Sequence, residues 1–84
     1  MNITLKLFAS LTDYLPAESK YTNIVALTVA EGTTIGNIIE QHSLPPKWVH
    51  LVLVNGVYIY PDQRSTHTLV EGDVLAIWPP IAGG

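Results

Sequence analysis

Residues 33–43 read TTIGNIIEQHS, and it is here that the apolar period of the chain changes. On either side, apolar residues alternate with every second position. Within this stretch Ile35, Ile38 and Ile39 recur at i, i+3 and i+4, which is the stripe of one short amphipathic helix. Thr33 or Thr34 offers a side-chain oxygen to cap the start. Gly36 and Asn37 are poor helix formers, so this helix depends on packing more than on propensity. Pro45-Pro46, which cannot continue a helical ladder, is expected to end it.

Working outward, MNITLKLFA (residues 1–9) alternates strictly, with Ile3, Leu5 and Leu7 on one face and Asn2, Thr4 and Lys6 on the other. That is a half-buried strand. SLTDYLP (residues 10–16) is expected to form one short helical turn ended by Pro16, and residues 18–23 a polar loop. IVALTVAEG (residues 24–32) is a second strand, with Val25, Leu27 and Val29 on one parity. No crossover element separates these two strands, so they are expected to pair antiparallel. Downstream, HLVLVNGVYIYPD (residues 50–62) reads as two strands around Asn55-Gly56, a strong hairpin signal. Glu71-Gly72-Asp73 makes a turn, and VLAIW (residues 74–78) is a last strand halted by Pro79-Pro80.

The order is strand, strand, helix, hairpin, strand. One helix must cover the apolar face of the whole sheet, which gives an α+β layer with a mixed sheet. The expected solution is the ubiquitin-like β-grasp, with the first and last strands parallel neighbours at the centre. Residues 1–84 are then one domain, and residues 79–84 a flexible tail protruding from the end of the central strand.

Composition narrows the function. The 84 residues hold no cysteine, so thiol chemistry, disulfides and cysteine-liganded metals are excluded for this chain. Charged residues make up 13%, about half the usual share of roughly 25%, so part of the surface is expected to be covered by something else. A net charge of −3 argues against nucleic acid as a partner. No stretch approaches the length of a membrane span or of a secretory h-region, so no membrane association and a cytoplasmic location are expected. His42, His50 and His67 have spacings that fit no helical or hairpin ligand pair, so no metal is expected.

The concentrated chemistry lies in WPPIAGG (residues 78–84). Pro79 and Pro80 cannot prolong the sheet and hold the exit stiff and extended. Ile81 and Ala82 are modest apolar handles. Gly83 and Gly84 have no Cβ, so the backbone could thread a channel too narrow for any side chain. The last carboxylate is ionised at neutral pH and is a serviceable nucleophile toward the α-phosphate of ATP. Adenylation would make Gly84 an acyl donor, and a sulfur nucleophile displacing AMP would leave a thiocarboxylate. A partner must supply that chemistry, because this chain has no phosphate-binding glycine loop and no nucleophile–base pair.

LKLFASLTDYL near the start, LVLVNG in the middle and LVEGDVLAIWPPIAGG at the end, together with the length, resemble the MoaD/ThiS group of sulfur carriers. The ending is closer to that of the small subunit of molybdopterin synthase than to that of the thiamine-pathway carrier. The resemblance spans essentially the whole chain. It implies that an E1-like adenylating enzyme activates Gly84 with ATP, that a persulfide donor supplies the sulfur, and that the tail then enters the large subunit of molybdopterin synthase. There the thiocarboxylate would build the dithiolene that binds molybdenum or tungsten. No cofactor is expected to be bound by the chain itself, which is then a carrier and not an enzyme alone. Trp78 stands where the resemblance leads one to expect phenylalanine.

Two residues are candidates for partner binding. Phe8 falls on the polar parity of the first strand and Trp78 ends the last, so neighbouring strands would put both in one aromatic patch at the base of the tail. Trp48 is expected to plug the helix end of the core. Val52 and Val54, taken as the parity opposite to the core, are expected to be buried within the domain. Asp62 and Arg64 are expected to be solvated. Three alternatives stay open: a thiamine-pathway carrier, a ubiquitin-like protein modifier, and a β-grasp interaction module without sulfur chemistry.

Overall fold

The computed structural model describes residues 1–80. Strand β1 (Asn2–Leu7) leads through a 3-10 turn (Ala9–Tyr14) and a shorter one (Ala17–Ser19) to β2 (Ile24–Thr28). Helix α1 (Ile35–Gln41) follows, then a 3-10 turn (Pro46–Trp48), β3 (Leu51–Val54), β4 (Val57–Tyr58), a 3-10 turn (Pro61–Gln63) and β5 (Val74–Trp78). The five strands form one sheet in the order β2-β1-β5-β3-β4. β1 pairs antiparallel with β2 and parallel with β5, and β3 pairs antiparallel with both β4 and β5. This is the mixed sheet with central parallel first and last strands that the β-grasp requires.

The helix start follows from its cap. The Thr34 hydroxyl accepts from the Asn37 N–H at 3.1 Å, and the Asn37 side chain accepts from the Thr34 N–H at 2.9 Å. This reciprocal pair satisfies two of the N–H groups that a helix start leaves open. Asn37, unfavourable inside a helix, is thereby a capping residue. The helix ends at Gln41, before the prolines are reached. The chain turns there through Ser43 at φ +56°, and Pro45-Pro46 instead open the following 3-10 turn. Gly36 lies against the 64–65 turn: its N–H donates to Arg64 O at 2.8 Å, and a Cβ would sit 3.2 Å from Ser65 Cα. No larger residue lets the helix approach that turn as closely.

The core sits between α1 and one face of the sheet. Leu5, Leu7, Ile35, Ile38, Val52, Leu75 and Ile77 are wholly buried, and Leu11, Leu15, Leu44, Ile59 and Leu69 from the connections close its rim. Ile39, Val25, Leu27 and Val29 pack on it from the side. Val52 and Val54 are buried as expected, but theirs is the core parity of β3. The outer parity belongs to Leu51 and Leu53, which are half-buried. Strand LVLV is apolar on both faces, so alternation alone does not say which pair points inward.

The hairpin turn at Asn55-Gly56 has φ +51° and +84° at its two central positions, the geometry that matches the twist of the flanking strands. Asn55 also ties the turn to β5. Its Nδ2 donates to Asp73 Oδ1 and its Oδ1 accepts from the Val74 N–H, both at 2.9 Å. Asp73 Oδ2 accepts from the Val70 N–H at 2.9 Å, so this buried carboxylate organises the entry to β5.

Candidate functional site

The site is built where β5 ends. Phe8 donates its N–H to Ile77 O at 3.2 Å from the β1 side, and His50 donates to Trp78 O at 3.0 Å from the β3 side. The strand is thus held as far as Ile77 on the β1 side and to its last residue, Trp78, on the β3 side. Pro79 has no N–H to extend the ladder. Pro79 is buried and Pro80 exposed, so the chain leaves the body of the domain one residue after β5. Ile81, Ala82, Gly83 and Gly84 lie outside the described residues.

Beside this exit the Phe8 and Trp78 rings stack, with centroids 4.1 Å apart and planes 1° from parallel. The reason is register. Phe8 continues the outer parity of β1 and Trp78 the outer parity of β5, and Leu7 pairs with Ile77 on parallel neighbouring strands. Both rings are therefore on the sheet face away from the helix, and both are half-buried.

The rest of that face extends the patch. Leu51 pairs with Trp78; Leu53 pairs with Ala76 on one side and Tyr58 on the other; Ala76 pairs with Lys6. Paired residues project from the same face. Among the outward positions of the five strands, Lys6 is the one charged residue. An antiparallel or mixed sheet normally solvates its outer face with polar residues. Here its centre is apolar and aromatic, which marks an interaction surface and accounts for part of the low charge content. Phe8 and Trp78 were foreseeable from parity; Leu51 and Leu53, with Tyr58 paired to Leu53, were not, because the facing of β3 was ambiguous.

Two expectations are corrected at this end of the molecule. Trp48 does not plug the core: it is 42% exposed, on the Pro46–Trp48 turn. Leu44 fills the space below the helix end instead. Trp48 shares a shallow surface notch with Ser10, Leu11, Asp13 and Tyr14, and Lys47 Nζ lies 5.6 Å from its ring centre. Arg64 is not solvated, being 8% exposed. Its Nε donates to Ile59 O at 3.1 Å, Nη1 to Val49 O at 3.3 Å and Nη2 to His50 O at 3.1 Å. It thereby pins residues 49–50, whose His50 N–H holds the last carbonyl of β5. Asp62 is exposed, as expected.

Among the described residues no cluster of histidine and carboxylates is arranged to hold a metal ion. No helix is long and apolar enough to cross a membrane. What the arrangement offers is a candidate docking face beside the point where the chain leaves β5.

The ThiS family model matches residues 5–84. No curated protein matches the chain. Among solved structures, the chain is similar to SAMP1 from Haloferax volcanii, at 26% identity over all of both chains with a TM-score of 0.67. It is similar to a putative molybdopterin converting factor subunit 1 from Pyrococcus furiosus, at 20% identity, 96% of this chain, 99% of that one and a TM-score of 0.67. It also resembles a structure of the complex of subunits 1 and 2 of the molybdopterin-converting factor from Helicobacter pylori, at 17% identity over all of both chains with a TM-score of 0.61. The last two likenesses establish the β-grasp fold.

Proposed function

This chain belongs to the ThiS family, and from that premise we propose that it is a sulfur carrier whose Gly84 carboxylate is the reacting group. An E1-like enzyme would bind the domain, and the carboxylate would attack the α-phosphate of ATP with loss of pyrophosphate. The terminal sulfur of a persulfide donor would then displace AMP, and a thiol would cleave the resulting acyl disulfide to release the Gly84 thiocarboxylate. In this reading the partner enzymes supply the catalytic groups for these steps. The carrier's own contribution is binding and presentation.

The observation that carries this reading is the exit of the chain through Pro79 and Pro80 at the end of a strand held on both flanks, beside the Phe8–Trp78 stack. An enzyme that grips the outer face would receive Pro80, Ile81, Ala82, Gly83 and Gly84 at a defined point. The family match running through Gly84 supports the same reading. We further propose molybdopterin or tungstopterin synthesis as the destination, with the large subunit of molybdopterin synthase as the final partner. The Helicobacter pylori likeness, a complex of subunits 1 and 2, supports that choice. In the complex proposed for this chain the pterin precursor would be the sulfur acceptor.

The test is intact-mass spectrometry. The purified chain should have the mass of a polypeptide ending at Gly84. With an E1-like enzyme, ATP and a persulfide donor, it should gain the mass difference between sulfur and oxygen. Deleting Gly83-Gly84 should abolish the gain while leaving the fold intact. Undiminished sulfur transfer by the deletion variant would refute the proposal, and a lysine-linked adduct in its place would favour a protein modifier.

A further inference from the structure

The free edge of β2 is the surface that the sulfur-carrier reading leaves unused. In the β1–β2 ladder Met1 and Val29 exchange both backbone bonds, at 2.7 and 2.8 Å, and Leu7 donates to Asn23 O at 3.1 Å. Given the register Asn2↔Thr28 to Lys6↔Ile24, the antiparallel alternation commits Val25 and Leu27 to β1. The N–H and C=O groups of Ile24, Ala26 and Thr28 therefore point off the sheet. Among the described residues, one of those six groups has a partner: Ile24 O accepts from the Thr22 hydroxyl at 3.4 Å.

Natural sheets blunt such an edge with charge, proline, a bulge or brevity. The opposite edge, β4, is only two residues long. β2 carries none of these devices: residues 24–30 read IVALTVA, without charge or proline, and Ile24 is 43% exposed.

We propose that β2 pairs antiparallel with β2 of a second copy of this chain, about a twofold axis at Ala26. The arrangement is self-complementary. Ala26 faces Ala26 of the second copy, and Ile24 faces its Thr28, each as a hydrogen-bonded pair, so all six outward groups find partners. Val25 and Leu27, only partly covered by their own core, face each other across the joint on the helix side. Two five-stranded sheets become one of ten, with both Phe8–Trp78 faces on the same side and the two β5 strands ending in opposite directions. The dimer leaves both C-terminal exits open, so it adds to the carrier role without resting on it.

Sedimentation equilibrium from micromolar to millimolar protein tests the pairing. The wild-type chain should pass from monomer to dimer, and the Ala26 and Thr28 amides should gain protection from exchange over the same range. Ala26→Lys puts like charges opposite each other at the axis and should weaken the dimer roughly tenfold or more. An equimolar mixture of Ala26→Lys and Ala26→Glu should restore it as a heterodimer. Ala26→Pro removes an N–H that faces solvent in the monomer and should abolish pairing while the chain still folds. A wild-type chain monomeric at millimolar concentration, whether or not the edge takes up another protein's strand, would overturn the proposal. So would a dimer indifferent to the charge at position 26.

Discussion

Arg64→Met tests the buried arginine and, through it, the support beneath the end of β5. The substitution keeps much of the apolar stem and removes the guanidinium. Three carbonyls, of Ile59, Val49 and His50, then lose donors at 3.1, 3.3 and 3.1 Å. The contact to the Tyr58 hydroxyl, at 3.5 Å, is at the limit of a hydrogen bond and counts for little. At a net value of about 1 kcal/mol per bond, the loss is about 3 kcal/mol. The stronger bonds expected of a charged donor are offset by the cost of burying the charge, so the neutral value is the right scale. An 84-residue domain has roughly 4–13 kcal/mol to lose, so this change removes a large fraction of it. Urea unfolding followed by the fluorescence of Trp48 and Trp78 should show a lower midpoint at unchanged slope. Thermal unfolding should drop by about 15 °C. Arg64→Lys, with one compact ammonium in place of a fork, should recover part of the loss. A change below about 0.5 kcal/mol, the usual size for a solvated surface residue, would refute the reasoning and return Arg64 to the surface.

Phe8→Ala should leave the domain folded but weaken its complex with the partner subunit by about 1–3 kcal/mol, read by isothermal calorimetry; unchanged affinity would make Phe8 a rim residue and nothing more. Asn55→Ala loses two side-chain bonds and places a Cβ-bearing residue without local compensation at φ +51°, so denaturant unfolding should report a loss of about 2–3 kcal/mol. Asn55→Gly keeps the turn conformation and should cost less, separating the two contributions. Gly36→Val drives a branched side chain against the backbone of Arg64 and Ser65 and should cost about 2 kcal/mol in the same assay. Stability equal to wild type would show that the 64–65 turn yields freely. Gly84→Ala should fold normally and lose most sulfur transfer in the mass assay, because the added methyl group narrows the fit of the terminal backbone in a partner's channel.

The aromatic part of the candidate docking face was legible because strand parity is a local property. Phe8 sits one step past Leu7 on the polar parity of β1, and Trp78 one step past Ile77, so once β1 and β5 are neighbours the rings must meet. The β-grasp order followed from the change of period at residues 33–43 and from the Asn55-Gly56 turn. Parity failed at β3, where LVLV offers two apolar faces, and the turn register with β4 and β5 had to decide that Val52 and Val54 point inward.

Alternation, helical period and turn chemistry are written in neighbouring residues, so the sequence by itself determined the element order, the fold and the candidate partner residues Phe8 and Trp78. Tertiary structure alone decided the fates of Trp48 and Arg64. Of the carbonyls that hold Arg64, that of residue 59 is local. Those of residues 49 and 50 are 15 and 14 positions away and reach it only when the segment before β3 packs against residues 58–64. No local pattern of charge or hydropathy encodes such a convergence, because the hydrogen-bond acceptors are backbone atoms that every residue possesses.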